Sequence, residues 1–380
     1  MIPRLIHTPE LNGYTFGDAH PMAPNRVRSA LELASYFGIR ELFDETPPPP
    51  ASPGLLRSVH STEYLDALDS GEPALEFGIG TEDNPLVPGL PDIAAGIVSA
   101  TVEAARVVWS GEASRAVNIS GGLHHAQASA LHGFCMFNDA AVAIRWLLDQ
   151  GAQRVAYLDL DAHHGDGVEQ IFWDDPRVLT ISLHESGLYL FPGTGFPADI
   201  GGPAARGTAV NVALPREVSD LEWLRAVHGV VPPLLQAFQP EIIISQHGSD
   251  PHRNDPLADM NLSVDALGIA YRSVRSWAGR FTGGKWVALG GGGYDRDSIA
   301  RVWTQLLATV AEVDLPPSEK MPRGWSERLG APSSRTFGDD GAAVGLQGFH
   351  PERVLTDSPC PSLIQTSRAV FPYWNLVPFH

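Results

Sequence analysis

Cysteine is almost absent from this sequence, which has two, Cys135 and Cys360, among its 380 residues. Two cysteines cannot form a disulfide framework, and they are too few for a structural zinc site built on cysteine. Basic residues are also scarce, because 26 Lys and Arg stand against 44 Asp and Glu and give a net charge of −18. An acidic chain gains little from counterion release, so direct nucleic-acid binding is disfavoured, whereas the charge suits a cationic partner or substrate.

Long apolar runs are missing too. No stretch approaches the ~20 apolar residues that a membrane-spanning helix requires, and residues 1–10 lack the basic and apolar regions of a signal peptide. We therefore expect a cytoplasmic protein without a membrane partner. Its length and its 43% of hydrophobic residues are enough for a large core, whereas the sequence favours no particular oligomeric state.

Short segments rich in Val and Ile alternate with segments of helical periodicity over most of the chain. The predicted strands are residues 116–120, 154–160, 178–183, 209–214, 241–245 and 286–289. The predicted helices are residues 92–110, with Asp92 as the N-cap, and residues 138–150, 219–238 and 263–281. Strands separated by helices pair in parallel and form a sheet that is covered on both faces. The expected fold is therefore α/β, with helices on both faces of a mostly parallel sheet.

Two regions interrupt this alternation. Residues 44–54 contain four consecutive prolines, which exclude a helix or a central strand, so a stiff surface loop is predicted there. Residues 313–380 are proline-rich at first and aromatic at the end. We expect them to be a C-terminal extension that packs on a single domain formed by residues 1–312.

Ionisable residues follow four of the predicted strands at the point where each strand ends. Because the carboxyl ends of parallel strands share one edge of the sheet, these side chains can converge on one site. They are His124 and His125 after residues 116–120, Asp161, His163 and Asp166 after 154–160, Asp250 after 241–245, and Tyr294 after 286–289.

A metal site is the first interpretation of this pattern. Asp161 and His163 are two residues apart in an extended segment, so their side chains point to the same side. With Asp250 as a third ligand, one imidazole and two carboxylates leave an open position on zinc, as in catalytic zinc sites. An Asp-x-His pair alone is more often a helix cap or a surface turn. The surrounding sequence DLDAHHGDG and the distant aspartate make the metal site the stronger interpretation.

The tandem pair His124 and His125 is a candidate for proton transfer, because a histidine near a metal-bound water can accept its proton at neutral pH. Asp159 and Asp166 can each hold the other ring nitrogen of one imidazole and fix its tautomer. Without the metal motif, two hydrogen-bonded polar residues in a loop would be the simpler interpretation.

Tyr294 ends a run of four glycines at residues 290–293. These glycines allow the backbone to approach a narrow site closely, with the phenol placed to donate to a developing oxyanion. A flexible loop is the plainer alternative. A phosphate-binding loop is disfavoured, because the spacing of the glycines does not match G-x-G-x-x-G or the P-loop.

Together these motifs resemble those of the histone deacetylase superfamily, whose members share the arginase–deacetylase fold with a central sheet of about eight strands. The resemblance covers roughly residues 1–310. It rests on HPMAPNRVR (20–28), EDNP (82–85), SGGLHHA (120–126), GFCMFND (133–139), YLDLDAHHGDGVE (157–169), SLH (182–184), FPGTG (191–195), QHGSD and DPLADMNLS (within 246–263) and LGGGGY (289–294). Within the superfamily, residues 246–263 and the loop GTEDNP are similar to the bacterial acetoin-utilisation deacetylases.

The resemblance implies a zinc-dependent protein lysine deacetylase, which hydrolyses the acetyl amide of N-ε-acetyl-lysine and releases acetate. The implied zinc ligands are Asp161, His163 and Asp250, and the same ligands suit Fe²⁺ in the cell. The implied catalytic residues are His125 as general base, His124 as its companion, Asp159 and Asp166 as their carboxylate partners, and Tyr294 as the acid that polarises the carbonyl.

The resemblance also implies binding residues around the reaction centre. Those for the substrate are Asp83 at the rim, Leu257 at the mouth of a tunnel, and Gly133, Phe134, Phe191 and Gly292 along it. Those for a potassium or sodium ion are Asp159, Asp161, His163, Ser182 and Leu183, with a second ion near Phe172, Asp175 and Val178. Arg26 matches an arginine of an internal acetate channel. Ser249 and Leu123 depart from the family pattern, but neither change removes a catalytic group.

Three other functions are weighed against this one. An acetylpolyamine amidohydrolase on the same fold would suit the acidic charge of the chain. A binuclear manganese ureohydrolase needs a second set of Asp and His ligands, which these motifs do not resemble. A non-catalytic scaffold for acetylated partners is disfavoured by the intact set of catalytic residues. The likeness to acetoin-utilisation deacetylases points to an acyl-CoA synthetase as the acetylated protein substrate.

Overall fold

The structure, a computed structural model, describes residues 1–17, 20–22, 25–354 and 359–380. Within these ranges the strands form one eight-stranded sheet in the order β2-β1-β3-β8-β7-β4-β5-β6, and every pairing is parallel. The strands are β1 (Arg4–Ile6), β2 (Asp44–Thr46), β3 (Arg115–Asn118), β4 (Val155–Asp159), β5 (Val178–Glu185), β6 (Ala209–Leu214), β7 (Ile242–Gln246) and β8 (Trp286–Leu289). The predicted mostly parallel sheet of about eight strands is confirmed.

Helices connect the strands and cover both faces of the sheet. None of those in the described ranges is long and apolar enough to cross a membrane. They are α1 (Arg26–Tyr36), α2 (Pro53–Leu56), α3 (Thr62–Ser70), α4 (Leu90–Trp109), α5 (Asp139–Asp149), α6 (Asp166–Ile171), α7 (Asp220–Phe238), α8 (Val264–Thr282), α9 (Arg296–Val310), α10 (Trp325–Leu329), α11 (Ala342–Gly345) and α12 (Pro361–Val370). The four helices predicted from periodicity correspond to α4, α5, α7 and α8.

The two faces of the sheet belong to two separate hydrophobic clusters. Successive residues of a strand alternate between them, as the pleat requires: in β4, Leu158 packs into one cluster and Tyr157 into the other. The first cluster includes apolar residues of α1, α7, α8, α9 and α12, and the second includes those of α3, α4 and α5. This double covering explains why the central strands are continuous apolar runs in the sequence.

Two details of the predicted pattern are wrong. The loop predicted at 44–54 begins with strand β2, whose three residues pair in parallel with the equally unpredicted β1. Strands of three residues are too short to show a recognisable period. Helix α4 begins at Leu90 rather than after Asp92, because Gly89 is its N-cap and Pro91 fits its first turn. Asp92 lies in that first turn, where a carboxylate interacts favourably with the helix dipole.

The C-terminal residues cover the edge of the sheet at β6. Helix α12 lies against this strand, and its Ser362 and Thr366 hydroxyls donate to the carbonyl oxygens of Ala213 and Asn211 at 2.7 Å each. The indole of Trp374 donates to the Gly207 carbonyl at 2.7 Å. These bonds occupy acceptors that an exposed edge strand would offer to other chains. The division into residues 1–312 and 313–380 stays a prediction, and residues 355–358 of the extension lie outside the described residues.

Candidate active site

The four strands that carry the predicted functional residues are neighbours at the centre of the sheet, in the order β3-β8-β7-β4. All four end at the same edge because they are parallel. His124 and His125 follow β3, Tyr294 follows β8, Asp250 follows β7, and Asp161 and His163 follow β4. The structure therefore brings together side chains that are up to 170 residues apart in sequence.

Asp161, His163 and Asp250 form a buried three-residue cluster whose ligand atoms all lie within 4.8 Å of one another. His163 Nδ1 is 3.2 Å from Asp161 Oδ1 and 3.0 Å from Asp250 Oδ2, so it faces both carboxylates. Two carboxylates around one imidazole leave negative charge in a buried site, which a divalent cation would neutralise. This donor set and its burial fit a catalytic zinc or ferrous ion.

Backbone and side-chain donors orient the two carboxylates. Asp161 Oδ2 accepts hydrogen bonds from Gln246 Nε2 at 3.1 Å and from the Gly292 N–H at 2.8 Å. Asp250 Oδ1 accepts one from the Ala162 N–H at 3.0 Å. A Cβ on Gly292 would collide with the Asp250 carboxylate. The glycine run thus lets the backbone lie directly against this cluster.

The electrostatics of the cluster reflect its burial. Burial lowers the pKa of His163, but the hydrogen bonds and charges of Asp161 and Asp250 outweigh this effect and raise it to about 10. Burial and the neighbouring charge of Asp161 raise the pKa of Asp250 to about 7. A metal ion would compete with protons for these ligands.

His124 and His125 form a hydrogen-bonded pair beside the cluster. Their Nε2 atoms are 3.0 Å apart, while His124 Nδ1 is 2.8 Å from Asp159 Oδ2 and His125 Nδ1 is 2.6 Å from Asp166 Oδ1. Each imidazole therefore has the carboxylate partner that the sequence predicts. Gln127 Nε2 donates to Asp166 Oδ2 at 2.8 Å and holds that carboxylate in turn.

Tyr294 lies across the cluster from this pair. Burial raises the pKa of its phenol, so the hydroxyl keeps its proton at neutral pH. Its backbone N–H donates to Asp255 Oδ2 at 2.7 Å, and Asp255 Oδ1 accepts from the Leu257 N–H at 3.0 Å. Arg26 lies 5.4 Å from the Tyr294 ring and donates to the carbonyl of Gly293 at 2.8 Å.

A cavity of about 230 Å³ connects this centre with the surface. Its walls hold His125, His163 and Tyr294 at one end and exposed Asp83 at the other. The remaining lining residues are Gly133, Phe134, Leu190, Phe191 and Leu257. Gly292, predicted with this group, is not among the described residues that line the cavity, and its N–H binds Asp161 instead.

A scan of family models matches residues 20–310 to the histone deacetylase domain. The chain is 36% identical over 328 residues to the acetoin utilization protein AcuC of Bacillus subtilis (strain 168), with 84% of each chain covered. It is 30% identical to the protein of that name from Staphylococcus aureus (strain MRSA252), covering 85% of this chain and 89% of the relative. The chain belongs to the histone deacetylase family.

Solved structures of this family have the same fold. A crystal structure of an HDAC homolog complexed with SAHA matches with a TM-score of 0.78 and 32% identity, covering 87% of this chain and 89% of that one. An HDAC homolog from Aquifex aeolicus also gives 0.78, at 30% identity and 93% coverage of both chains. The predicted arginase–deacetylase fold and the similarity to acetoin-utilisation proteins are confirmed.

The residues that the family resemblance assigns to monovalent cations lie on and next to the neighbouring strands β4 and β5. Asp159 of β4 pairs with Ser182 of β5, and Leu183 follows it. For the second ion, the turn from Phe172 to Val178 is closed by two backbone hydrogen bonds, at 3.0 and 3.2 Å, to the carbonyls of Phe172 and Asp175. Both ion sites stay predictions. Of the deacetylase motif at 20–28, residues 23 and 24 lie outside the described residues.

Two buried acids of this site were not predicted to have a role. Asp139 accepts hydrogen bonds from the N–H groups of Gly122 and Leu123, at 3.0 and 2.7 Å, and so anchors the loop that carries the histidine pair. Asp255 links the backbones of Tyr294 and Leu257. Both lie within motifs that indicate the family, but only the folded chain shows what each carboxylate holds.

Proposed function

We propose that this chain is a zinc-dependent protein lysine deacetylase, which hydrolyses the acetyl amide of N-ε-acetyl-lysine and releases acetate. The observation that carries the proposal is the cavity that joins exposed Asp83 to His125, His163 and Tyr294. A long aliphatic side chain that ends in an amide matches such a passage. The deacetylase family to which the chain belongs supports the reaction class.

Substrate binding follows from the lining of the cavity. Phe134 and Phe191 are proposed to hold the lysine methylenes between them, with Leu257 beside them, because an apolar stem is best accommodated by apolar walls. Asp83 is exposed at the rim. There its carboxylate can accept hydrogen bonds from the substrate backbone N–H groups.

Asp161, His163 and Asp250 are the proposed holders of zinc or ferrous iron. Such an ion, when bound, polarises the amide carbonyl and acidifies the attacking water. His125 is the proposed proton acceptor, and its Nδ1 stays bound to Asp166, which keeps the ring oriented.

The Tyr294 hydroxyl donates to the carbonyl oxygen as negative charge develops on it. The histidine pair then returns a proton to the departing lysine amine, which leaves acetate and free lysine as products. His124 is not among the described residues that line the cavity. It therefore acts through His125, with which it shares a hydrogen bond.

The names of the relatives suggest which proteins are the substrates in the cell. Two relatives carry the name acetoin utilization protein. We propose that the substrates include acetylated enzymes of acetate metabolism, of which an acyl-CoA synthetase is the first candidate.

The experiment that tests the proposal measures acetate release from an acetyl-lysine peptide by the zinc-loaded protein. Replacing Tyr294 by Phe should lower turnover by ~10²–10³-fold, the cost of losing one oxyanion donor. The matched control is Tyr36→Phe, because Tyr36 is 61% exposed and remote from the cavity. Turnover of acetylspermidine in place of the peptide would replace the proposal by the polyamine alternative. If one zinc is bound per chain and neither substrate is hydrolysed, a non-catalytic binding scaffold would be favoured.

A further inference from the structure

We propose that His125, His132 and Asp166 form a second divalent-metal site, which takes zinc or a similar ion and inhibits the enzyme when occupied. One ligand atom from each of these residues lies within 4.8 Å of the others. Asp166 is the centre of the group, with Oδ1 at 2.6 Å from His125 Nδ1 and Oδ2 at 3.2 Å from His132 Nδ1. No residue is shared with the cluster of Asp161, His163 and Asp250.

The ring nitrogen of His132 is the observation that points to a ligand. His132 Nδ1 is buried and makes no well-aligned hydrogen bond within the described part of the chain, although Asp166 Oδ2 is only 3.2 Å away. A buried polar atom without a partner is rare in proteins and costly. A cation between this nitrogen and the carboxylate would satisfy both.

The backbone holds His132 in place before any ion binds. Reciprocal backbone hydrogen bonds join His132 and Cys135 at 3.2 and 2.9 Å, and Gly133 and Phe134 between them both have positive φ, 52° and 64°. This tight turn fixes the Cα–Cβ direction of His132 towards Asp166. The side chain is 36% exposed and its ring centroid is 4.8 Å from that of Phe191, so the group is open to ions from the rim of the cavity.

The ligand set indicates which ions would bind. Two imidazoles and one carboxylate suit zinc, cobalt and related transition ions, whereas magnesium and calcium require mainly oxygen ligands. Three protein ligands leave at least one position for water. Such a site is weaker than a closed structural one, and its occupancy would follow the free metal concentration.

Inhibition follows from the identity of one ligand. An ion on His125 Nδ1 takes the place of the proton that this nitrogen donates to Asp166, and that proton moves to Nε2 of the same ring. His125 would then be a poor proton acceptor, and Asp166 would orient the ion instead of the imidazole. Because the consequence for turnover rests on the proposed function, the test uses metal binding as its main readout.

The test titrates the metal-free chain of 380 residues with Co²⁺, followed by visible absorption, and with Zn²⁺, followed by calorimetry. We expect two equivalents of unequal affinity in the wild type. His132→Ser should weaken the second by ~10–100-fold or more and leave the first unchanged. His350→Ser is the matched control, because the His350 side chain is 44% exposed and lies in the C-terminal extension. Asp250→Asn should weaken the first equivalent and retain the second.

Zinc inhibition supplies the second readout: excess zinc should lower acetate release by the wild type and not by His132→Ser. His132→Asn, with its folding checked by circular dichroism, repeats the test with a different side chain. A single equivalent in the wild type would overturn the proposal, as would a second equivalent that persists in both His132 variants. These outcomes are distinct from a failure of the deacetylase assignment, which would abolish acetate release without changing the metal stoichiometry.

Discussion

The Nε2 atoms of His124 and His125 lie 3.0 Å apart, so a single proton can occupy the space between the two rings. Burial lowers the pKa of His124, but the charges of Asp159 and Asp161 outweigh it and raise the value to about 9. Burial and the positive charge of His124 together lower the pKa of His125 to about 3. The shared proton therefore belongs to His124, and His125 is the neutral ring that faces the cavity.

The two histidines should consequently differ in their effect on turnover. His125→Ala is expected to lower kcat by ~10²–10⁴-fold, because it removes the proposed proton acceptor. His124→Ala should cost less, since that ring acts only through its neighbour. Steady-state kinetics on an acetyl-lysine peptide, with the zinc content of each variant measured, tests this order. A larger loss in the His124 variant would reverse the assignment of the two roles.

Asp139 should be essential for the loop that carries the histidine pair. Its buried carboxylate accepts hydrogen bonds from the N–H groups of Gly122 and Leu123 and from the Thr101 hydroxyl. Asp139→Ala leaves these buried donors without an acceptor, at a cost of about 2–3 kcal/mol or more in the free energy of unfolding. Thr101→Val is the control, which removes the hydroxyl that donates to Asp139 and accepts from Asn118 Nδ2 but keeps the carboxylate, and it should cost only about 1–2 kcal/mol. Urea unfolding measures both, and equal costs would contradict this account.

Arg216 connects two segments that form the rim of the cavity. Its Nε is 3.1 Å from Asp259 Oδ2 and 3.6 Å from the buried Glu185 carboxylate, and its guanidinium carbon lies 4.9 Å from the centroid of the Tyr189 ring. Tyr189 is two residues from Phe191, and Asp259 is two residues from Leu257. The arginine thus links two walls of the proposed substrate passage to each other.

Loss of this connection should affect binding rather than chemistry. Arg216→Ala is expected to raise KM for an acetyl-lysine peptide by about 3–10-fold with little change in kcat, the pattern of lost uniform binding. Arg216→Lys keeps the charge but lacks the planar group that stacks on Tyr189, so its KM should be intermediate. Arg323→Ala, an exposed arginine of the C-terminal extension, serves as the control. A fall in kcat at unchanged KM would contradict a role at the rim.

The central part of the fold could be predicted because its signals are local. Strands β4, β5 and β7 are covered on both faces, so each is a continuous apolar run that the sequence displays directly. The proposed metal ligands Asp161 and His163 follow such a run immediately. Once the strands are known to be parallel, the convergence of Asp250 and Tyr294 on them follows from the shared edge of the sheet.

What could not be predicted depends on contacts between distant segments. Strands β1 and β2 are recognisable only by their pairing with each other and with β3. Asp139 and Asp255 lie within recognisable motifs, but the backbone groups that their carboxylates hold are set by the folded chain. His132 is the sharpest example, because a histidine before GF has no local signature, and only the folded turn brings its Nδ1 to Asp166.

His60 makes the stability of the loop that carries the histidine pair depend on pH. The ring is buried, its Nε2 accepts a hydrogen bond from the Asn138 N–H at 3.1 Å, and its Nδ1 faces the Gln127 carbonyl at 3.1 Å. Burial lowers the pKa of His60 to about 4 against the opposing effect of the hydrogen bond to Gln127. The neutral ring is therefore the form that the fold requires, since a proton on Nε2 would face the N–H of Asn138.

Because His60 binds a proton at a lower pH in the folded chain than in the unfolded chain, acid should destabilise the folded state. Between about pH 6.5 and pH 4 the unfolded chain binds a proton on His60 and the folded chain does not. The contribution of His60 to the free energy of unfolding is therefore fully present above pH 6.5 and declines as pH falls. The loss reaches about 3 kcal/mol near pH 4. Urea unfolding at pH 7 and pH 4.5 should show a smaller decline for His60→Gln than for the wild type, and no such difference for His350→Gln. Parallel declines in the wild type and His60→Gln would mean that His60 is already charged in the folded protein.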